Sequence, residues 1–174
     1  KYPNLELIVI DGLSTDNTLK IIKKYFDSIN YFVSEKDNGQ AHALNKGFAI
    51  ASGDICSYLN SDDIYIGNIF WEIGKLYIKN KFKWASSNIL IGYSKENSKI
   101  WEAKTISFEL FCAQQTIGQQ GVFWENHCFE KPWFDENLQY VMDHKFFINL
   151  YRNFGPPECL NITGAFFRIH SDSK

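Results

Sequence analysis

The sequence predicts an α/β domain in which helices flank a mostly parallel sheet, followed by a less regular α+β half. Strand-like and helix-like segments alternate three times over residues 1–82, as in a doubly wound sheet with right-handed crossovers. The first apolar run, residues 5–11, is almost continuous, which is typical of a buried parallel strand. The chain has 174 residues, of which 45% are hydrophobic and 22% charged, so we expect a single globular domain.

The elements of the first half are predicted from apolar periodicity and from capping residues. The strand-like segments are continuous apolar runs that end in Asp, Asn or Gly. Apolar residues at helical spacing begin after Thr-Asp-Asn (residues 15–17) in the first helix-like segment and end at Ser-Gly-Asp (residues 52–54) in the second. The predicted strands are residues 5–11, 31–34 and 55–59, and the predicted helices are residues 18–29, 41–51 and 68–79.

Beyond Phe82 the pattern is less regular, and the domain divides into halves 1–82 and 83–174 without a linker or repeat. A polar turn at residues 95–98 separates two strand-like segments, and a helix precedes the last strand. The predicted strands are residues 84–93, 100–104, 121–125 and 159–169, and the predicted helix is residues 141–153.

Composition excludes several classes of function. Asp and Glu number 20 against 18 Lys and Arg, and this formal charge of −2 argues against a nucleic-acid partner. We see no apolar run of the roughly 18 residues that span a bilayer, and no segment with the basic start and apolar middle of a signal peptide within these 174 residues. The cysteines are scattered, which favours reduced core residues over a structural disulfide: Cys56, Cys112, Cys128 and Cys159.

Acidic residues follow every predicted strand of the first half. Asp11 ends the first strand, Glu35 and Asp37 follow the second, and Asp62 and Asp63 follow the third. Ligands of open α/β sheets bind at the carboxyl ends of the strands, so these acids are candidates for a shared site. The alternative is helix capping, which Asp16 and Asp63 could each provide for a following helix.

Carboxylates without clustered Cys or His favour Mg²⁺ or Mn²⁺ over zinc as a cofactor. Such a cation usually completes its ligand shell with substrate phosphates. The sequence has no P-loop and no GxGxxG fingerprint, so the metal would hold the phosphates of a nucleotide-diphosphate substrate.

Several segments resemble one enzyme family over essentially the whole chain. Residues 2–18 (YPNLELIVIDGLSTDNT) resemble the opening signature of family 2 glycosyltransferases. Later segments resemble further blocks of that family in the right order: residues 34–40 (SEKDNGQ), 45–47 (NKG), 59–63 (LNSDD), 119–124 (QQGVFW) and 140–143 (YVMD). The resemblance implies a GT-A fold that binds a nucleotide-diphosphate sugar as donor.

The resemblance also implies roles for individual residues on the donor side. Asp11 would accept a hydrogen bond from the base, and Glu35 and Asp37 would lie near the base and ribose. Gln40 and Asn60 would also bind the nucleotide sugar, and Asn60 replaces the first Asp of the family's DxD motif, as in some polysaccharide-assembly members.

Asp62 matches the main metal ligand of the family, and Asp63 either caps its helix or contacts the donor sugar. His170 follows the last strand, where related enzymes place a metal or phosphate ligand; the alternative is an ordinary surface histidine.

On the acceptor side, Asp143 matches the family's catalytic base, which removes the proton of the attacking hydroxyl. The alternative for Asp143 is an acid that merely favours the first turn of a helix. Gln119, Gln120 and Trp124 could line the acceptor pocket, although core packing is an equal alternative for Trp124.

The resemblance therefore implies an inverting glycosyltransferase that acts on a glycan or lipid-linked acceptor in cell-surface polysaccharide synthesis. It also implies a location in the cytoplasm, at the inner face of the cell membrane. The alternatives are a non-catalytic nucleotide-sugar-binding domain and an enzyme similar to sugar-nucleotide pyrophosphorylases. Members of the family place a strand and a helix before the Tyr-Pro-Asn segment, so we also expect an open sheet position beside the first strand and weak donor binding.

Overall fold

The computed structural model describes residues 2–171, which form two sheets. The strands are β1 (Ile8–Asp11), β2 (Tyr31–Ser34), β3 (Ile55–Cys56), β4 (Ile64–Tyr65), β5 (Trp84–Gly92), β6 (Ser98–Trp101), β7 (Val122–Glu125) and β8 (Glu158–Arg168). The helices are α1 (Thr18–Lys23), α2 (Gln40–Ile50), α3 (Ile69–Asn80), α4 (Phe108–Ala113) and α5 (Met142–Phe154).

The smaller sheet pairs β1 with β2 in parallel, with Asp11 opposite Ser34 at their carboxyl ends. The helix before β2 is shorter than predicted, because α1 ends at Lys23 and a separate 3₁₀ turn follows at Phe26–Ser28. Asn17 occupies the N-cap position of α1, so the capping expectation for Asp16 is wrong, although its Oδ1 accepts a hydrogen bond from the Thr18 amide at 2.9 Å.

The larger sheet has six strands in the order β3-β7-β5-β8-β4, and β6 pairs with β5. Within it β5 and β8 are parallel, whereas the pairs β3–β7, β4–β8, β5–β6 and β5–β7 are antiparallel. The α/β class is confirmed, but the expectation of a mostly parallel sheet is wrong. The predicted third strand shortens to β3 and pairs with β7 from the second half instead of extending the sheet of β1 and β2.

Two apolar clusters enclose the larger sheet. Side chains alternate across β7, so that Trp124 joins the cluster around α2 and α5 while Phe123 joins the cluster beneath α3. Trp124 is 0% exposed and packs its ring against Phe48 and Phe146. Burying a large apolar side chain contributes about 1.5–3 kcal/mol, so β7 is a main source of stability.

The four cysteines are free thiols, as the sequence predicts. The expectation that they are core residues holds for Cys56, which is buried, but is wrong for Cys112 and Cys159, which are exposed. Burial raises the pKa of Cys56 to about 12 and that of Cys128 to about 11, so neither is an activated thiolate. Within residues 2–171 the helices are too short or too polar to cross a membrane.

Candidate active site

The carboxyl end of the smaller sheet is organised around the Asp11 carboxylate. Its Oδ2 accepts hydrogen bonds from the Ser14 amide at 3.0 Å and from the Ser34 hydroxyl at 2.5 Å. The Ser14 hydroxyl donates to the other oxygen, Oδ1. Burial raises the pKa of Asp11, but these hydrogen bonds from Ser14 and Ser34 outweigh it and the net shift is downward. Asp11 therefore fixes the loop after β1 to the end of β2.

Glu35 and Asp37 lie at the same end of this sheet, as the parallel pairing of β1 with β2 predicts. Glu35 forms an ion pair with Lys46 of α2 at 2.7 Å, and this lysine lowers the pKa of Glu35. Asp37 lies so close to the loop after β1 that a Cβ on Gly12 would be 2.5 Å from its Oδ2. The absence of a side chain at Gly12 is what allows this approach.

Gln40 connects this group to the loop after β3. At the start of α2, its Nε2 donates a hydrogen bond to the Asn60 side-chain oxygen at 2.6 Å. Asn60 is two residues before Asp62, so the hydrogen bond links the two groups of candidate residues. The structure thus brings together Gln40 and Asn60, which are 20 residues apart in the chain.

Asp62 and His170 form a pair despite their separation of 108 residues, with His170 Nε2 at 2.8 Å from Asp62 Oδ2. The antiparallel pairing of β4 with β8 brings them together, because Ile64 lies opposite Phe166. The pair is partly exposed in an open pocket of about 440 Å³, lined by Ser61, Asp62, Tyr93, Arg168, Ile169 and His170.

Sequence reasoning missed Tyr93 and Arg168 as residues of this pocket. Arg168 could have been found, because it ends the same strand that delivers His170. Tyr93 had no such signal, since it enters the pocket from the turn after β5.

The pair of Asp62 and His170 fits a cation that takes its other ligands from a substrate. Ligands bound beside one another on Mg²⁺ or Mn²⁺ lie about 3 Å apart. Asp62 Oδ2 and His170 Nε2 lie 2.8 Å apart in a hydrogen bond, so both atoms already face the same point, and a cation bound there would take the place of the shared proton. The described part of the chain holds no group of three or more His, Cys, Asp or Glu that could bind a metal. Phosphate oxygens and water would therefore have to supply the remaining ligands.

Asp63 faces the protein interior and is only 6% exposed. Its Oδ2 accepts from Gln120 Nε2 at 2.8 Å, and its Oδ1 accepts from the Arg168 amide at 3.1 Å. Burial raises the pKa of this carboxyl, and the two hydrogen bonds oppose that shift. The capping expectation is wrong, because α3 begins at Ile69 and Asn68 occupies its N-cap position.

The three residues expected at the acceptor pocket are all buried. Gln119 donates from Nε2 to the Tyr58 carbonyl at 2.7 Å, and Gln120 is engaged with Asp63. For Trp124 the acceptor expectation is wrong and the core alternative is correct, because its ring is fully enclosed by other aromatic rings.

Asp143 lies in the first turn of α5 and is partly exposed. Its Oδ1 accepts a hydrogen bond from the His144 amide at 2.8 Å, so Oδ2 is the oxygen left for chemistry. Burial raises the pKa of the Tyr58 hydroxyl, and the charges of Asp143 and Asp63 add to that shift. Asp143 and Asp63 are therefore both close enough to Tyr58 for their charges to act on its hydroxyl.

Comparison with known proteins identifies the family of this chain. The model of the family "Glycosyl transferase family 2" matches residues 1–127. The chain belongs to glycosyl transferase family 2. This match includes the loops of Asp11, Asp37 and Asp62, and it confirms the family to which the sequence motifs pointed.

Curated relatives within the family are bacterial glycosyltransferases. WfgD of Escherichia coli, a UDP-Glc:α-D-GlcNAc-diphosphoundecaprenol β-1,3-glucosyltransferase, is 35% identical over 88 residues, covering 50% of this chain and 35% of WfgD. WfaP of Escherichia coli carries the same description and is 24% identical over 99% of this chain and 68% of WfaP. An uncharacterized glycosyltransferase of Haemophilus influenzae is 40% identical over 38% of this chain and 28% of its own length. The matched segment thus spans about a third of the first of these relatives.

Solved structures confirm the GT-A fold of the family. TarS of S. aureus in complex with UDP-GlcNAc matches with a TM-score of 0.75 at 16% identity, over 97% of this chain and 50% of that chain. Glucosyl-3-phosphoglycerate synthase of Mycobacterium tuberculosis matches with a TM-score of 0.61 at 20% identity, over 97% of this chain and 62% of that chain.

Proposed function

We propose that this chain is the catalytic domain of an inverting glycosyltransferase. It transfers a sugar from a nucleotide-diphosphate sugar to a glycan or lipid-linked acceptor. The observation that carries the proposal is the Asp62–His170 pair in an open pocket. Asp143 is a partly exposed acid in the first turn of α5, and its charge acts on the same buried Tyr58 as that of Asp63. Family membership supports the same reaction class.

The donor nucleotide binds at the carboxyl end of β1 and β2, in the half formed by residues 1–82. Glu35 and Asp37 are near enough to this end to contact the base and ribose, while Asp11 holds the loop that the base approaches. Gln40 and Asn60 continue the surface toward Asp62 and meet the diphosphate side of the donor.

Asp62 and His170 would hold the divalent cation, Mg²⁺ or Mn²⁺, on which GT-A members of this family generally depend. When bound, the cation neutralises the charge that develops on the departing diphosphate. Arg168 lines the same pocket and adds a fixed positive charge beside the leaving group. The pocket is therefore suited to anionic substrates, although the net charge of the chain is −2.

Asp143 acts as the general base from the acceptor-side half, residues 83–174. Its free oxygen removes the proton from an acceptor hydroxyl while the hydroxyl oxygen attacks the anomeric carbon. A bond from the acceptor oxygen to that carbon forms as the bond to the diphosphate oxygen breaks. Attack from the face opposite the leaving group inverts the anomeric configuration.

The class of acceptor is proposed from the relatives WfgD and WfaP, whose names describe diphosphoundecaprenol-linked substrates. A lipid-linked acceptor requires the enzyme to work at the surface of the membrane that carries it. We therefore place the protein at the cytoplasmic face of the cell membrane, in the synthesis of a cell-surface polysaccharide.

Substitution of the two key acids tests this function. Asp143→Asn should lower transfer by at least 10²-fold while donor binding stays unchanged, because it removes only the proton acceptor. Asp62→Ala should abolish both transfer and the Mn²⁺-dependent part of UDP binding. Transfer is measured with a panel of nucleotide sugars and UDP binding by calorimetry.

Asp27→Asn is the matched control, since Asp27 precedes β2 at the end of the sheet opposite Asp11. It should leave transfer and UDP binding at the wild-type level. Undiminished turnover in the Asp143 variant would contradict the assignment of the base. A wild-type protein that binds donors with Mn²⁺ but never transfers a sugar would instead be a nucleotide-sugar-binding domain.

A further inference from the structure

The Asp63 carboxylate joins three segments that meet at the pocket. Asp63 itself follows Asp62, Gln120 belongs to the 3₁₀ turn Gln119–Gly121, and Arg168 ends β8. Each oxygen of Asp63 accepts one hydrogen bond from the other two segments, at 2.8 Å and 3.1 Å. The carboxylate is only 6% exposed, so its oxygens are occupied by the protein and turned away from solvent.

These contacts close a ring that contains the metal pair. Asp62 and Asp63 are neighbours in the chain, and the Asp63 carboxylate accepts a hydrogen bond from the Arg168 amide. Two residues after Arg168, the His170 ring forms a hydrogen bond with Asp62 and so closes the ring. The strand ladder between β4 and β8 ends at Ile64, opposite Phe166. Beyond that pair, β5 holds one edge of β8 through Gly92, which pairs with Arg168 and accepts from the Ile169 amide. On the other edge, the Asp63 carboxylate continues the contact that β4 makes with β8.

We propose that Asp63, held by Gln120, is a positioning residue that sets the spacing of Asp62 and His170. The proposal rests on the proposed function, because it assigns these two side chains to a divalent cation. Asp63 acts through geometry and contacts neither the cation nor the donor. Its two hydrogen bonds must therefore be present, while its negative charge is dispensable.

The isosteric substitution Asp63→Asn separates geometry from charge. The asparagine oxygen can still accept from the Arg168 amide, and its NH₂ group can donate to the Gln120 side-chain oxygen after that amide flips. Asp63→Ala removes both hydrogen bonds. Gln120→Leu removes one of them and leaves the carboxylate in place.

Two measurements read the spacing of the pair. The first is the Kd of UDP with and without Mn²⁺, by calorimetry on the full chain. Asp63→Ala should weaken the Mn²⁺-dependent binding about tenfold, equivalent to about 1.4 kcal/mol. Asp63→Asn should stay within about twofold of wild type and Gln120→Leu should fall between them. UDP binding without Mn²⁺ should be the same in all variants.

The second measurement is the distance from His170 Nε2 to Asp62 Oδ2 in crystal structures of the variants. Asp63→Asn should keep the wild-type contact of 2.8 Å, and Asp63→Ala should lose it. This distance is independent of donor binding. A wild-type protein that fails to bind UDP with Mn²⁺ counts against the proposed function, whereas the distance still decides the positioning role.

Several results overturn the proposal. If Asp63→Asn loses as much Mn²⁺-dependent binding as Asp63→Ala, the charge is essential and Asp63 is itself a ligand. If Asp63→Ala binds like wild type and keeps the contact, Asp63 does not position the pair. Should Asp63→Ala fail to fold, Gln120→Leu decides, and wild-type binding with an unchanged contact refutes the role.

Discussion

Asp11 shows how a motif residue can serve the fold and the site at once. The resemblance assigns it to the nucleotide base, and the structure gives it three hydrogen bonds from Ser14 and Ser34. These bonds shape the loop between β1 and α1, which also approaches Asp37. Contact with a base remains a prediction for Asp11, whereas its role in the loop is visible in the structure.

The variant Asp11→Asn should be less stable by about 1–3 kcal/mol at pH 7, because one side-chain oxygen cannot accept from donors that lie on both sides. The pKa of Asp11 is lowered in the folded state. Its stabilisation is therefore complete above the unfolded-state value of about 3.9 and is lost as the pH falls through the lower folded-state value.

Urea unfolding of wild type and Asp11→Asn at pH 7 and at lower pH measures this difference. The gap in unfolding free energy should narrow as the pH falls below about 4. The variant Ser34→Ala completes a double-mutant cycle, in which a positive coupling energy is expected for the direct hydrogen bond. A gap that is the same at every pH would contradict the ionised role of Asp11.

At the residue scale, the sequence predicted the position of the candidate metal ligands better than the position of the residues that hold them. Asp62 and His170 could be predicted because they follow strand-like segments and match family positions, and the structure brings them within 2.8 Å. The buried role of Asp63 could not be predicted, because the donors that hold it come from Gln120 and Arg168, which are distant in the chain. The sequence also could not decide between the core and the acceptor pocket for Trp124, because alternation along a strand does not show which face of the sheet is covered by other elements.

At the scale of elements, the start of α5 has an unusual backbone. Val141 occupies its N-cap position with a φ of 53°, in the left-handed region that β-branched residues avoid. Its side chain is 61% exposed, so the packing of this side chain offsets little of the energetic cost of the left-handed conformation. The Val141 carbonyl accepts the hydrogen bond from the Lys145 amide that begins the helix. The strained residue therefore directs the turn of the helix that carries Asp143.

The variant Val141→Gly should raise the free energy of unfolding by about 0.5–1 kcal/mol. The left-handed conformation costs an L-residue roughly 1–2 kcal/mol, and the greater freedom of glycine in the unfolded chain offsets part of that gain. Chemical denaturation is the measurement, with Val141→Ala as the control that keeps a Cβ. If the glycine variant is less stable than the alanine variant, the strain assigned to Val141 is absent.

Strand positions were more predictable than strand pairing. Residues 84–93 and 159–169 were predicted as strands, and the structure has β5 and β8 there. The direction of pairing was wrong for β3, because an apolar run of a few residues carries no information about its partner. That partner, β7, comes from the second half of the chain, and Cys56 of β3 and Trp124 of β7 are buried in the same apolar cluster. Tertiary packing thus turned an expected parallel sheet into a mixed one.

At the scale of the whole molecule, burial is unevenly distributed between the two sheets. Helix α1 contains no buried residue, and Ile8, Val9 and Ile10 of β1 are only half-buried. In contrast, Ile89 of β5 and Ala165 of β8 are 0% exposed. Local opening is easiest where few apolar groups are buried, so we expect the sheet of β1 and β2, where the donor is proposed to bind, to be the less stable part.

Hydrogen exchange should resolve this difference between the two sheets. Amides of β1 and β2 are expected to exchange at least about tenfold faster than those of β5 and β8, which corresponds to about 1.4 kcal/mol less protection. UDP with Mn²⁺ should slow exchange at residues 8–14 and 31–40, because a ligand that binds the closed form disfavours local opening.

Helix α3 is the internal control for this experiment, since it packs against Phe123 and contributes no residue to the proposed donor site. Equal protection of both sheets without ligand would contradict the uneven stability. Protection by UDP in α3 alone would place the nucleotide elsewhere than at the end of β1 and β2.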